Sequence, residues 1–316
     1  MRLLTYLHEG QSRVGALLDG WVVDLGRAYH LSQRGHQGCG ELAADTCLSG
    51  DMLTLLEGGE ASLQAARTAL AFARELLEAG SEAVRSTGIG RRREEVVLLP
   101  PVRRPGKIIC VGLNYPAPDQ PDTAPAPEYP VLFHKVSITL TGHGGPIVIP
   151  RIGREVVYEG ELAVVIGQRG KHIEREEALS YVAGYTIAND VGALDLERRT
   201  SQWATGKLAD TFCPLGPVLV TRDQVPDPSA LAIQTTLNGE LVQSGHTGEM
   251  LFDVPYLVSY ISALATLEPG DLILTGSPKR LGRLPAPRRF MNPGDTVSIR
   301  IEKLGDLTNP VVDEES

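Results

Sequence analysis

The sequence predicts a strand-rich α+β protein, with a sheet-rich barrel or sandwich over its C-terminal two-thirds and a small α+β unit in front. Three observations carry this. Beyond residue 107, short apolar runs recur at close spacing, punctuated by Gly and Pro. A single clear helical pattern, near 254–267, interrupts them. The long amphipathic helix lies earlier, in the first hundred residues, where the other runs are few. The chain has 316 residues, 42% hydrophobic and 22% charged, which is globular chemistry. At roughly 100–200 residues per domain this length suggests about two units, placed here at 1–100 and 101–316.

Taken in order, residues 1–20 alternate as short strands, and Asp19-Gly20 between VGALL and WVVDL marks a hairpin with two residues at positive φ. Over Glu60–Ala79, Leu63, Ala66, Leu70, Ala73 and Leu77 recur at three and four spacing, and Gly80 is placed to end the helix. Residues 80–106, rich in Gly, Arg and Pro, read as a linker, and Arg91-Arg92-Arg93 as its solvated part. KIICVGL (107–113) is a buried strand. Residues 114–130 hold six prolines, too many for a helix or an interior strand. Strands follow at 131–135, 146–150, 156–167, 181–190, 214–220, 232–243, 271–277 and 296–305, with Asn238-Gly239 as a second hairpin turn.

Several functions are disfavoured. The formal net charge is −9, and no basic patch offers the clustered Lys and Arg that phosphate backbones need, so no nucleic acid is expected as a partner. The N-terminus turns polar within eight residues and no run of about 18 apolar residues occurs, so neither a signal peptide nor a membrane partner is expected. Cys39, Cys47, Cys110 and Cys213 form no Cys-x-x-Cys pair. Cys110 and Cys213 lie in apolar runs and read as buried thiols, which makes a cytoplasmic location the simplest expectation. No phosphate-binding loop, nucleophile elbow or dinucleotide fingerprint is present, so no organic cofactor is expected.

The chemistry concentrates in YEGELAVVI, 158–166. A strand alternates faces, so Glu159 and Glu161 project to one side, about 7 Å apart along the strand. A second strand, YVAGYTIAND, delivers Asp190 where its apolar run stops. Three carboxylates repel one another in an apolar setting unless a cation lies between them, and an all-oxygen set suits Mg²⁺ or Mn²⁺. On these residues alone a solvated face of an edge strand remains the other reading.

Residues 105–311 resemble the fumarylacetoacetate hydrolase (FAH) superfamily. The resemblance runs through PGKIICVGLNY, VLFHK, YEGELAVVIG, AGYTIANDV, GKLADTFCPLGP, LNGELVQSGHT, LEPGDLILTGSP and PGDTVSIRIEKLG. It implies an FAH-like mixed β-roll or barrel with a small N-terminal domain, and a homodimer. It implies that Glu159, Glu161 and Asp190 hold Mg²⁺ or Mn²⁺, that Lys207 is the active-site lysine, and that Tyr115, Gln243, Thr247 and Ser277 stand near the substrate. Asp195 and Arg198 are expected to form a structural pair, and Trp203 and Asp210 to serve as framework.

Hydrolytic members of that family carry a His and, three residues on, a Glu shortly after Leu-Asn-Tyr. Here those positions are Pro118 and Pro121. Two substitutions stand out elsewhere. His134 precedes Lys135 and offers a relocated acid/base. Arg280 replaces a glycine and offers a bidentate partner for a substrate carboxylate. The expected substrate is a β-dicarbonyl or 2-oxo acid whose reaction develops enolate charge, which a metal and a lysine stabilise. Without the water-activating dyad, C–C cleavage of the non-hydrolytic kind, decarboxylation or tautomerisation is favoured. The alternatives are a C–C hydrolase with a relocated base, and a non-catalytic ligand-binding homologue.

Overall fold

The computed structural model describes residues 1–33, 48, 50–116, 127–278 and 289–315. It is a strand-rich α+β fold built, among the described residues, on two large sheets and a two-stranded one, Val156–Val157 with Gly192–Ala193. The larger, of twelve strands, runs from edge to edge through Gly90–Arg92, Trp21–Asp24, Gln11–Leu18, Arg2–His8, Cys213–Thr221, Val182–Asn189, Gly160–Ile166, Leu272–Leu274, Ile108–Gly112 and Val131–Lys135. Val97–Leu99 joins it beside Arg2–His8, and Leu140–Thr141 beside Cys213–Thr221. The second sheet holds five strands: Glu240–His246, Ala232–Leu237, Thr296–Ile301, Gly305–Asp313 and Ile147–Ile149. The end strands of the large sheet do not pair, so the expected barrel is an open sheet.

Both hairpin turns form as their sequences require. Asp19 and Gly20 take φ 47° and 79°, and Asn238 and Gly239 take 53° and 82°. The helix Gly59–Ala79 ends at Gly80 and buries Ala66, Ala69 and Ala73, with Leu63, Leu70 and Leu77 flanking. The helix Val254–Leu264 starts where Asp253 caps the Tyr256 N–H.

Residues 80–106 are more than a linker. They hold the helix Ser81–Ser86 and the strands Gly90–Arg92 and Val97–Leu99. The guanidinium of Arg92 lies 4.4 Å from the Trp21 ring centroid, and that of Arg85 lies 5.2 Å from it. The arginine run is therefore partly committed to an aromatic face, which its composition does not reveal. The sheet crosses residue 100 without a break, because Arg2 and Leu3 pair with Val220 and Leu219.

The two faces of the large sheet serve two cores. On the strand Gly160–Ile166, Leu162, Val164 and Ile166 join Ile187, Ile233, Ile299 and the helix residues Leu257 and Ile261. Ala163 and Val165 face the other way, with Leu3, Ala16, Cys110, Cys213, Leu274 and the alanines of Gly59–Ala79. Glu161 shares this second face by alternation and stands where the apolar layer ends.

Candidate active site

The strand Gly160–Ile166 pairs antiparallel with Val182–Asn189, so the start of one meets the end of the other. The expected run 156–167 is broken. Val156–Val157 pairs with Gly192–Ala193, and Tyr158 and Glu159 lie between the strands. One further backbone bond, from Asp190 N–H to the Glu159 carbonyl at 2.8 Å, sets these two residues opposite each other. Asn189 Oδ1 accepts from the Glu159 N–H at 2.8 Å. The carboxylates of Glu159, Glu161 and Asp190 thereby converge, with ligand oxygens all within 4.8 Å of one another.

Their surroundings differ. Glu161, 2% exposed, accepts one backbone N–H, from Gly276 at 2.8 Å. Gly276 sits at φ 94°, and a Cβ there would stand 2.9 Å from the Asn114 Cβ, so only glycine brings this N–H so close. Asp190 is 1% exposed and holds an ammonium on each oxygen: Lys135 Nζ at 2.9 Å on Oδ1 and Lys207 Nζ at 3.0 Å on Oδ2. Glu159 is the most open of the three and meets Lys207 Nζ at 2.7 Å. Lys207 completes its three donations on the Asp190 carbonyl at 2.9 Å.

The charges follow from this geometry. Burial raises the Glu161 carboxyl well above its usual range, and the nearby Asp190 and Glu159 charges add to the shift. Burial would raise Asp190 as well, but Lys135 and Lys207 outweigh it and hold it below its usual value. Burial alone would lower the Lys207 ammonium. Asp190, Glu159 and Glu197 reverse this and raise it well above 10.5. Among the described residues, Lys135 and Lys207 pair with Asp190 and Glu159, and no cation pairs with Glu161. A hard divalent ion fits this donor set: it is all oxygen, it is convergent, and its negative charge exceeds the positive charge paired with it among the described residues.

The other expected residues are placed as follows. Tyr115 is buried, its hydroxyl has no hydrogen-bond partner among the described residues, and the Glu161 charge acts on it. Gln243 accepts from the Gly160 N–H at 3.2 Å and donates to the Pro278 carbonyl at 2.8 Å, so it ties the foot of the Glu161 strand to the 276–278 segment. Ser277 is half-buried within that segment. The Thr247 hydroxyl is engaged by the backbone of Leu231. His134 does not join the cluster: it is exposed, and alternation turns it away from its buried neighbour Lys135. Arg280, Pro118 and Pro121 lie outside the described residues. Asp195 and Arg198 do not pair with each other. Asp195 accepts from the N–H groups of Arg154 and Glu155, while Arg198 meets the Glu155 carboxylate at 2.8 Å.

Two site residues had no assigned role in the sequence. Lys135 closes an apolar run and reads as the polar end of a strand. Glu197 lies 4.0 Å from Lys207 Nζ, and its Oε1 is buried without a hydrogen bond among the described residues. Gly192 makes room for Glu197 and Lys207, since a Cβ there would fall 2.3 Å from that oxygen and 3.1 Å from Lys207 Nζ.

An apolar-backed cluster of three acids, with an ammonium at its open side, marks an enzyme that handles developing negative charge on oxygen. The chain belongs to the fumarylacetoacetate hydrolase family: the model of the fumarylacetoacetate (FAA) hydrolase C-terminal domain matches residues 107–312. It is 43% identical over 272 residues to human "Oxaloacetate tautomerase FAHD2A, mitochondrial", covering 85% of this chain and 82% of that protein. Among solved structures, the fumarylacetoacetate hydrolase of Exiguobacterium antarcticum superposes with a TM-score of 0.78 at 32% identity, over 99% of this chain and 100% of that one. The maleylpyruvate hydrolase of Sphingobium sp. SYK-6, in complex with manganese (II) ion and pyruvate, gives 0.73 at 28% identity over the full length of both chains. Like these relatives, the chain is an enzyme. Among the described residues no helix is long and apolar enough to cross a membrane.

Proposed function

We propose that this enzyme interconverts the keto and enol forms of a small 2-oxo dicarboxylic acid of the oxaloacetate type, with Mg²⁺ or Mn²⁺ held by Glu159, Glu161 and Asp190. The observation that carries this reading is the convergence of those three carboxylates beside the Lys207 ammonium. The name of the human relative supplies the reaction, and the manganese in the Sphingobium structure supports the cation. When bound, the cation supplies Lewis-acid polarisation of the substrate's oxygens.

This chain's residues supply the rest. Tautomerisation moves a proton between C3 and the C2 oxygen, and negative charge gathers on that oxygen on the way. Lys207, held charged by Asp190, Glu159 and Glu197, donates to it at Nζ by exchanging its bond to Glu159, the more open of its acceptors. The Tyr115 hydroxyl, without a partner among the described residues, donates to a substrate oxygen on the Glu161 side. Gln243 and the Gly276 N–H keep the Glu161 strand and the 276–278 segment in register. Ser277, next to Gly276, borders the substrate. No water has to be activated, which suits a chain with Pro118 and Pro121 where hydrolytic relatives carry His and Glu.

A homodimer accompanies this reading. Val136, Ile138 and Leu208 are 46%, 63% and 41% exposed, and Leu208 adjoins Lys207, so a second copy would cover apolar side chains next to the site. The free thiols Cys110 and Cys213 suit a reducing compartment, in the simplest case the cytoplasm.

The test follows decay of the enol absorbance of fresh oxaloacetate, with and without Mn²⁺. The expected result is a metal-dependent acceleration that Glu161→Gln abolishes. Rapid metal-dependent hydrolysis of acylpyruvates, with no effect on the oxaloacetate enol, would overturn the reading in favour of a hydrolase.

A further inference from the structure

Lys135 ends an edge strand, yet its side chain has no exposure at all. Its Nζ lies 2.9 Å from Asp190 Oδ1 and donates to the carbonyls of Val191 at 2.8 Å, Phe212 at 2.9 Å and Lys207 at 3.0 Å. Those carbonyls come from segments 56 to 77 residues further along the chain. Taking an ammonium out of water costs several kcal/mol, recovered only when every proton is well placed. A methionine or leucine would plug the same space without that cost. What the ammonium adds is a fixed distance between the peptide that follows Asp190 and the peptide of Lys207.

The strand reaches the site a second time. Phe133, two residues earlier and on the same face, places its ring 5.4 Å from Lys207 Nζ and meets Trp203 edge-on. One strand thus holds the Lys207 backbone from one end and covers its ammonium from the other. Substrate does not reach Lys135, because nothing of it is open to solvent; whatever it does passes through Asp190 and Lys207.

We propose that Lys135 is a positioning residue for the reaction: it sets the Asp190 carboxylate and the Lys207 backbone in one frame, so that a divalent cation and the reactive ammonium are presented together. This rests on the reading of Glu159, Glu161 and Asp190 as the cation site. A lysine that only neutralised buried charge would have the opposite signature. Removing a cation next to a cation site relieves repulsion, so metal would bind more tightly. Removing a positioning residue leaves the ligand free to turn, and metal binds more weakly.

Mn²⁺ binding by the full-length protein, read from the electron paramagnetic resonance of free Mn²⁺, separates the two. For Lys135→Met we expect affinity to fall about 10–100-fold, the range for lost support of a metal ligand. The fall in kcat should be about 100-fold, larger than any change in KM. Unchanged or tighter Mn²⁺ binding overturns the proposal. Should Lys135→Met not fold, Lys135→Arg decides. It keeps the charge and loses the four-contact geometry, so wild-type Mn²⁺ affinity and kcat in that variant overturn the proposal equally. A wild-type protein that binds no Mn²⁺ overturns the cation site and this inference together, whereas wild-type binding matched by Lys135→Met overturns this inference alone.

Discussion

Lys207 grips Asp190 twice, with Nζ 3.0 Å from Oδ2 and 2.9 Å from the residue's own backbone carbonyl. Its third donation goes to Glu159 at 2.7 Å. The ammonium is therefore fixed against the backbone as well as against the carboxylates, and a substrate oxygen accepts from it in place of Glu159, the more open of its partners. Replacing it by methionine removes the donor and leaves Glu159 and Asp190 with less positive charge. For Lys207→Met we expect a loss of at least about 10²-fold in kcat, the cost of one preorganised donor. Mn²⁺ affinity should stay equal or rise, since a competing cation has gone. Steady-state kinetics and Mn²⁺ titration on the same preparation check both halves, and loss of metal binding would place Lys207 in support of the cation site rather than in the chemistry.

Glu161 is the counterpart of Lys207: a buried carboxylate with one N–H donor and two acidic neighbours. Without a divalent cation it is a liability to the fold. Glutamine keeps an acceptor for the Gly276 N–H and removes the charge. In EDTA, Glu161→Gln should be more stable than wild type by about 1 kcal/mol or more, a rise of roughly 2–4 °C in melting temperature. With Mn²⁺ the order should invert. Wild type gains about 2.7 kcal/mol at a concentration 100 times Kd, and the variant gains nothing. Calorimetry in the two buffers tests this, and a variant that Mn²⁺ stabilises like wild type would remove Glu161 from the ligand set.

Glu159, Glu161 and Asp190 stand out in the sequence as acids set in apolar runs, and the family resemblance joins them into one cation site. Strand alternation alone does not: Glu159 lies between two strands and is set opposite Asp190 by a backbone bond. Lys135 is not legible in that way. Its partners are backbone carbonyls brought back from residues 191, 207 and 212, and nothing in VLFHK encodes them. Residues 80–106 misled for a related reason. Arg92 reads as solvent-facing until the hairpin before it delivers Trp21 to its guanidinium. Local pattern thus specified elements and the acids riding on them, while long-range contacts decided which polar residues were claimed by the interior.

The thiols of Cys110 and Cys213 lie behind the site. Burial, with Asp190 next in importance, pushes Cys110 well above 9.0. Burial likewise pushes Cys213 up to about 12. In the unfolded chain both ionise near 9, whereas in the folded protein they stay neutral. The unfolded state therefore loses protons first, and their contribution to stability, whole below pH 9, declines as pH rises from there toward 12, by about 1.4 kcal/mol per unit for each thiol. Iodoacetamide at pH 8 should leave Cys110 and Cys213 unmodified until denaturant is added, with mass spectrometry of tryptic peptides as the readout. Modification of either in the native protein would contradict the burial.

A boundary near residue 100 makes a strong prediction about truncation. Composition divides the chain there, but the sheet does not: Arg2–His8 is the neighbour of Cys213–Thr221, which pairs in turn with the strand that ends beside Asp190. Removing residues 1–100 would expose the edge of Cys213–Thr221, with Leu215, Val218, Leu219 and Val220 in it, and would strip Leu3, Ala16 and Val23 from the core that also contains Ala163, Val165 and Cys213. An open apolar edge pairs with other chains. Residues 101–316 expressed alone should therefore be insoluble or aggregated, and coexpression with residues 1–100 should restore soluble, Mn²⁺-binding protein by re-forming the strand pair. A monomeric 101–316 fragment with native circular dichroism would instead show that the catalytic unit folds by itself, and that the first hundred residues are an appendage rather than part of the frame that holds Asp190 in place.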